Sequence, residues 1–126
     1  MLTPTDNNHG CLQYLIGSRL EKGKNGGTII MECSVKTTDG VKVADVAWAS
    51  DAFIAEHGFQ TPYQVAPEIC VEITSPSNSK AEMEEKVQLY LAKGAKEVWV
   101  CDDQGQVRYY AHVGQMERSR EILDGF

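Results

Sequence analysis

The chain has 126 residues, of which 42% are hydrophobic, and this length suits one domain, 1–126, with a single core. Its formal net charge of −6 argues against the broad positive surface of nonspecific nucleic-acid binders. It contains no apolar run of about 18 residues, which a membrane span needs, and its first residues lack a signal-peptide pattern. We therefore expect a cytoplasmic protein.

The first half of the sequence predicts a helix followed by a hairpin. Apolar residues recur every three or four positions over 8–21, which is typical of a helix with one buried face. Two extended runs, 28–36 and 41–49, flank the turn TTDG and predict paired strands. A short helical turn is expected over 52–57.

The second half predicts a third strand over 68–74, a helix and a second hairpin. The letters SKAE, from Ser79 to Glu82, form a capping box that starts a helix ending near Lys93. Strands follow over 97–101 and 107–111, and the tail from Gly114 carries no structural signal. Because the helix separates the third and fourth strands, we expect these strands to be parallel.

The four cysteines are scattered, with no CxxC pair and no histidine at zinc spacing. We interpret them as small core residues and expect neither a zinc site nor disulfides. They are Cys11, Cys33, Cys70 and Cys101.

Two carboxylates interrupt the apolar strands. Asp45 lies in VKVADVAWA and Glu72 in ICVEIT, although acidic residues are depleted from strand interiors. If they converge, they form an oxygen-rich site suited to Mg²⁺ or Mn²⁺. The alternatives are an exposed strand position for Asp45 and a salt bridge for Glu72.

Lys86 lies at the border of the second helix's apolar face, formed by Met83, Val87, Tyr90 and Leu91. Its ammonium could reach the two carboxylates, or it could be an ordinary solvated lysine. Phosphodiester hydrolysis can use such a set of groups: the carboxylates hold a metal that polarises the phosphate and activates a water, and the amine stabilises developing negative charge. A hydrolase triad and a phosphate-binding loop are not supported by any motif.

Four segments, VKVADVAWAS, APEICVEITSPSNS, EEKVQLYLAKGAKEVWVCDD and QVRYY, resemble the bacterial "putative restriction endonuclease" family of the PD-(D/E)XK nuclease superfamily. The resemblance covers about 28–111. It implies a mixed α/β fold with an αβββαβ restriction-endonuclease-like core, in which helices flank a mixed central sheet. It also implies a metal-dependent nuclease site with Asp45, Glu72 and Lys86 in the catalytic positions.

The sequence departs from the family's pattern at three points. Ala44 replaces the proline before the aspartate, and Thr74 stands where the superfamily's usual lysine would be, so that Lys86 on the helix inherits that role. Many relatives have an N-terminal extension that this sequence lacks, which raises the alternative of a fragment or a degenerate copy. Relatives often carry a histidine near His9, for which we expect an ordinary helix-start role, with catalysis as the alternative.

The resulting prediction is a DNA endonuclease that uses Mg²⁺ or Mn²⁺. Asp45, Glu72 and the backbone carbonyl of Ile73 would bind the metal, and Lys86 would orient the attacking water or neutralise the phosphate. A homodimer could form through an apolar edge such as EVWVC or VRYYA. The alternatives are an inactive binding module of nuclease fold, and a structural subunit in which Asp45, Glu72 and Lys86 form an ion-pair network.

Overall fold

A computed structural model describes residues 6–122. Its elements are α1 (Asn7–Lys24), β1 (Thr28–Thr37), β2 (Gly40–Ala49), α2 (Asp51–His57), β3 (Ile69–Ile73), α3 (Lys80–Ala92), β4 (Glu97–Cys101), β5 (Val107–Ala111) and β6 (Gly114–Met116). The predicted αβββαβ core is confirmed. The segment from Gly114, for which the sequence predicted no structure, forms β6.

The six strands form one mixed sheet in the order β1-β2-β3-β4-β5-β6. The pair β3–β4 is parallel, as predicted from the helix between these strands, and the other neighbours are antiparallel. Since β4 and β5 both lie inside the sheet, neither EVWVC nor VRYYA is an edge. The prediction that one of them supplies an edge contact for a homodimer is therefore wrong; β1 and β6 are the edges.

Helices cover both faces of the sheet. On one face α1 packs over the central strands through a cluster that includes Leu20, Trp48, Ile69 and Trp99. On the other face α3 buries its predicted apolar side chains against the sheet. The protein thus has three layers, and the ends of the central strands are the places where polar side chains can face solvent between the layers.

Local capping signals set the starts of α1 and α3. Asp6 accepts a hydrogen bond from the backbone N–H of His9, and Ser79 forms the predicted capping box with Glu82. The first helix extends beyond its predicted end, because Gly23 is accommodated within it and Asn25 provides the left-handed cap instead. These starts place His9 and Lys86 at fixed positions on their helices.

Three of the four cysteines, Cys33, Cys70 and Cys101, are buried, and all four are free thiols. Cys11 is exposed, so its assignment to the core is wrong. It falls at a position of α1 that faces away from the sheet. Across residues 6–122, no helix has the length and apolar character to cross a membrane.

Candidate active site

The candidate site lies where β2 and β3 separate. Their ladder has its last pair at Val46 and Val71, and the next position in the same register brings Asp45 opposite Glu72. The two carboxylates singled out in the sequence therefore share one end of adjacent strands. Their convergence follows from the register, because a slip of one residue would turn one of them to the other face.

The β1–β2 ladder is also interrupted at Asp45. Its register runs from Met31–Val46 to Cys33–Ala44 and skips the position where Glu32 would face Asp45. Glu32 has a φ of 53°, in the left-handed region that is uncommon for residues other than glycine. The backbone of Asp45 thus lies beside an irregular position on one side and a strand end on the other.

The break shifts the alternation of side chains in both strands. In β2, Ala44 packs in the core under α3, whereas Val46, two residues on, packs under α1. In β1, Ile30 and Cys33 lie in the same core layer although they are an odd number of residues apart. A regular strand would alternate strictly, so the change of phase occurs at Asp45 and Glu32 themselves.

The Asp45 carboxylate is held by the neighbouring strand and by α1. Its Oδ2 accepts a 2.7 Å hydrogen bond from the backbone N–H of Ile73, and its Oδ1 lies 3.4 Å from Nε2 of His9. Burial raises the pKa of Asp45, while the Ile73 hydrogen bond and the nearby His9 act in the opposite direction. These two contacts favour the ionised form of Asp45, which burial disfavours.

Glu72 is 3% exposed and takes one donor on each oxygen. The Tyr90 hydroxyl donates to Oε2 at 2.7 Å, and the Lys86 ammonium lies 3.4 Å from Oε1. The pKa of Glu72 is raised to about 7, chiefly by burial; the Asp45 charge adds to the rise, and Lys86 and Tyr90 oppose it. A cation in the cleft would favour ionised forms of both carboxyls.

Helix α3 presents Lys86 and Tyr90 to the same carboxylate. The two residues are four positions apart and so lie on one face of the helix, one turn from each other. The sequence places Lys86 at the border of the apolar face, either reaching the carboxylates or solvated, and its ammonium reaches Glu72. Its position near Glu72 agrees with the first of these alternatives; its part in chemistry stays a prediction.

The two acids and the lysine line one cleft of about 590 Å³. His9 and Glu32 contribute to its wall, and the loop 75–78 forms part of its rim. In that loop, Asn78 accepts a hydrogen bond from the backbone N–H of Ser75. The cleft is open and predominantly acidic, with Lys86 as its basic residue.

A family model described as Uma2, putative restriction endonuclease, matches residues 1–125 of this sequence. The chain belongs to the Uma2 family. Among curated proteins, none matches it significantly. The fold resembles the crystal structure of a "putative nuclease belonging to DUF820" from Anabaena variabilis, with a TM-score of 0.73 and 19% identity. The alignment covers 88% of this chain and 66% of that one, so the chain spans just under two thirds of its neighbour.

The donors present in this Uma2 chain fit a hard divalent cation in their chemistry. Asp45 and Glu72 offer only oxygen, the donor that Mg²⁺ prefers, and Mg²⁺ is commonly held by one or two carboxylates. Over residues 6–122, no three His, Cys, Asp or Glu side chains form a ready-made metal cage. Among the described residues, Nδ1 of His9, whose Nε2 faces Asp45, is buried without a hydrogen-bond partner.

Three residues of the site were not singled out as functional from the sequence. Tyr90 was assigned to the apolar face alone, although a buried tyrosine hydroxyl normally needs a partner. Glu32 interrupts the apolar run TIIMECSV just as Asp45 interrupts its own strand, so the same reasoning applied to β1 would have found it. Gln13 stands beside the apolar stripe of α1 and carries no comparable signal.

Proposed function

We propose that this chain is a nuclease that hydrolyses DNA phosphodiester bonds with Mg²⁺ or Mn²⁺. Membership of the Uma2 family supports the general class of activity. The cleft lined by Asp45, Glu72 and Lys86 supports the assignment of the active site. DNA as the substrate rests on the restriction-endonuclease description of the family.

In the proposed reaction, a bound divalent cation would polarise the phosphate and lower the pKa of a water molecule. Asp45 and Glu72 would hold that cation, with the backbone carbonyl of Ile73 as a further ligand. Lys86 would orient the attacking water or offset the negative charge that develops on the phosphate. For Lys86 to do this, its ammonium would move from Glu72 towards the substrate as the cation takes over charge compensation.

One observation carries the proposal: the Lys86 ammonium lies 3.4 Å from Glu72 in a cleft that Asp45 also lines. The three residues come from two strands and a helix, and burial of the two acids carries a desolvation cost that apolar residues would not. Burial raises the pKa of both acids, a pattern typical of functional sites.

The test is cleavage of supercoiled plasmid DNA in Mn²⁺ by the purified chain and three single variants. Asp45→Asn and Lys86→Ala are each expected to lower the rate at least about 100-fold, because the first weakens the hold on the cation and the second removes a positive charge beside the phosphate. Lys96→Ala is the matched control, since Lys96 is exposed and lies at the opposite end of β4. Equal cleavage by wild type, Asp45→Asn and Lys86→Ala would overturn the proposal.

A second candidate is a structural subunit of nuclease fold, in which Asp45, Glu72 and Lys86 form an ion-pair network. Both Glu72 oxygens already take a donor, from Tyr90 and Lys86, which favours a stable ion-pair network over an open metal site. The net charge of −6 also disfavours DNA unless cations offset it at the cleft. Calorimetry separates the candidates: Mn²⁺ binding that is lost in Glu72→Ala supports the metal site, and no binding at millimolar Mn²⁺ supports the network.

The homodimer remains a prediction after its suggested edges are corrected. Dimers are the commonest assemblies of soluble proteins, and the sheet ends at β6 on one side and at β1 on the other, where Tyr63 already pairs with Val35 along part of the edge. Sedimentation equilibrium over a range of protein concentrations checks it directly. A single species with the mass of the monomer throughout that range would contradict the prediction.

A further inference from the structure

We infer that Gln13 is a positioning residue, whose side-chain amide holds Asp45 at the break in the β1–β2 ladder. Gln13 lies on α1 and is half-buried between the helix and the sheet. Its Nε2 donates to the backbone carbonyl of Asp45 at 2.8 Å and to Oε1 of Glu32 at 3.1 Å. One amide group thus joins the two residues that face each other across the break.

The interruption of the ladder explains why such a bridge is needed. Backbone carbonyls near a protein's interior require a hydrogen-bond donor, and a regular ladder would supply it. Here the register skips the Glu32–Asp45 position, and the Asp45 carbonyl takes its donor from the Gln13 side chain. Gln13 replaces strand pairing at the point where the candidate site needs an irregular backbone.

The chemistry of a primary amide suits this position. Nε2 carries two hydrogens, so it can serve a carbonyl and a carboxylate at once, whereas an ionised glutamate offers no donor at all. The second acceptor, Glu32, is held in the left-handed conformation that costs energy for a residue with a side chain. The hydrogen bond from Gln13 offsets part of that cost.

The bridge fixes the direction of the Asp45 carboxylate. Gln13 holds the Asp45 backbone from the α1 side, while the N–H of Ile73 holds Oδ2 from the β3 side. With both ends fixed, the carboxylate stays beside Glu72, the residue that precedes Ile73. Residues that orient metal-binding carboxylates through hydrogen bonds commonly affect metal affinity, even without touching the ion.

The catalytic consequence of this inference rests on the proposed function, whereas its structural consequence does not. Two variants remove the donors: Gln13→Glu keeps the size of the side chain, and Gln13→Met removes the donors without adding charge. Gln88→Glu is the matched control, because Gln88 is an exposed glutamine on α3. The structural readout is the Ile73 amide, observed by NMR as its chemical shift and its hydrogen-exchange rate.

Both Gln13 variants are expected to shift the Ile73 amide resonance and to raise its exchange rate at least about tenfold, because local opening becomes easier. Amides in the β4–β5 hairpin should keep their wild-type rates. Mn²⁺ affinity and kcat for plasmid cleavage should each fall about tenfold, with KM within about twofold, as found for residues that orient metal ligands. Gln88→Glu should match wild type in every readout.

An Ile73 amide that exchanges at the wild-type rate in both Gln13 variants would overturn the inference. So would loss of the whole fold in both variants, since the inference confines Gln13 to the ladder break. If wild-type protein neither binds Mn²⁺ nor cuts DNA, the proposed function fails, and the Ile73 amide still decides the role of Gln13. If wild type is active and only the Gln13 prediction fails, the proposed function stands.

Discussion

Glu72 and Glu97 are two buried glutamates on neighbouring parallel strands, and they are satisfied in different ways. Glu72 is 3% exposed and Glu97 is 2% exposed. Glu97 accepts four hydrogen bonds, from the Trp99 indole, the Ser119 hydroxyl, and the backbone N–H groups of Arg120 and Glu121. Among residues 6–122, the donors to Glu72 are the Tyr90 hydroxyl and the Lys86 ammonium.

The difference separates a structural carboxylate from a candidate functional one. Four donors from the chain itself compensate Glu97 and tie the segment after β6 to the sheet, at a distance from the cleft. Glu72 has fewer donors and lies opposite a second acid, Asp45, so its charge is poorly compensated. Burial alone therefore does not identify a functional acid; the number of donors relative to the charge does.

The largest effect on stability is expected at Glu97. Glu97→Gln replaces an acceptor oxygen by an amide that faces existing donors, so it should lower the free energy of unfolding by about 3 kcal/mol. Urea denaturation measures this, with Glu85→Gln on the exposed side of α3 as the control. A folded Glu97→Gln variant that loses cleavage as completely as Glu72→Gln, at unchanged stability, would break the distinction between the two glutamates.

At Glu72 the same change, Glu72→Gln, is expected to raise the free energy of unfolding relative to wild type, by an amount that depends on pH. In the unfolded chain its carboxyl ionises near 4.5, whereas in the folded chain it holds its proton to about 7. Unfolding therefore releases a proton between these values, and the wild type loses stability as pH rises from 4.5 to about 7. Glu72→Gln does not titrate, so its stability relative to wild type should rise by about 2 kcal/mol over that window.

Denaturation midpoints of the two proteins at pH 4.5, 7 and 8 measure this relative gain. The gain should be nearly complete by about pH 7 and change little above it. If the proposed metal site exists, addition of Mn²⁺ should stabilise wild type and leave Glu72→Gln unchanged, because the variant lacks one of the two carboxylates of that site. A relative stability that does not vary with pH would contradict the raised pKa of Glu72.

The smallest effect concerns the left-handed residue Glu32. Glycine adopts this conformation without the steric cost of a side chain, so Glu32→Gly should be more stable than Glu32→Ala by about 1 kcal/mol. At Lys36, an exposed position on the same strand, the order should reverse, because alanine loses less entropy on folding. Thermal or urea unfolding of the four variants measures the stability of glycine relative to alanine at each position. If alanine is the more stable at Glu32 as well as at Lys36, Glu32 is not strained.

Much of the fold could be predicted because its signals are local. Alternating apolar residues, the TTDG turn and the SKAE capping box specify the strands and helix starts, and the parallel β3–β4 pair follows from the helix between them. Asp45 and Glu72 could be singled out since each interrupts the apolar pattern of its strand, and Lys86 since it borders the apolar face of its helix and matches the lysine position of the family. Their placement together in one cleft is what the structure adds.

The remaining features depend on contacts between distant parts of the chain. Glu97 looked like one more residue of an apolar strand, and three of its four donors come from Ser119, Arg120 and Glu121, in a tail without a recognisable pattern. Gln13 meets Asp45 across 32 positions of sequence. The left-handed backbone of Glu32 has no signature either, because glutamate, unlike glycine or asparagine, is not typical of that conformation.

The central claim is that Asp45 and Glu72 together bind a divalent cation. The most direct test is anomalous diffraction from wild-type crystals soaked in Mn²⁺ at a pH above 7, where both acids can ionise. The account predicts an anomalous peak between the two carboxylates, within about 2.5 Å of an oxygen of each, and the Lys86 ammonium displaced from Glu72. A cleft without that peak at millimolar Mn²⁺, with Lys86 still paired to Glu72, would contradict it.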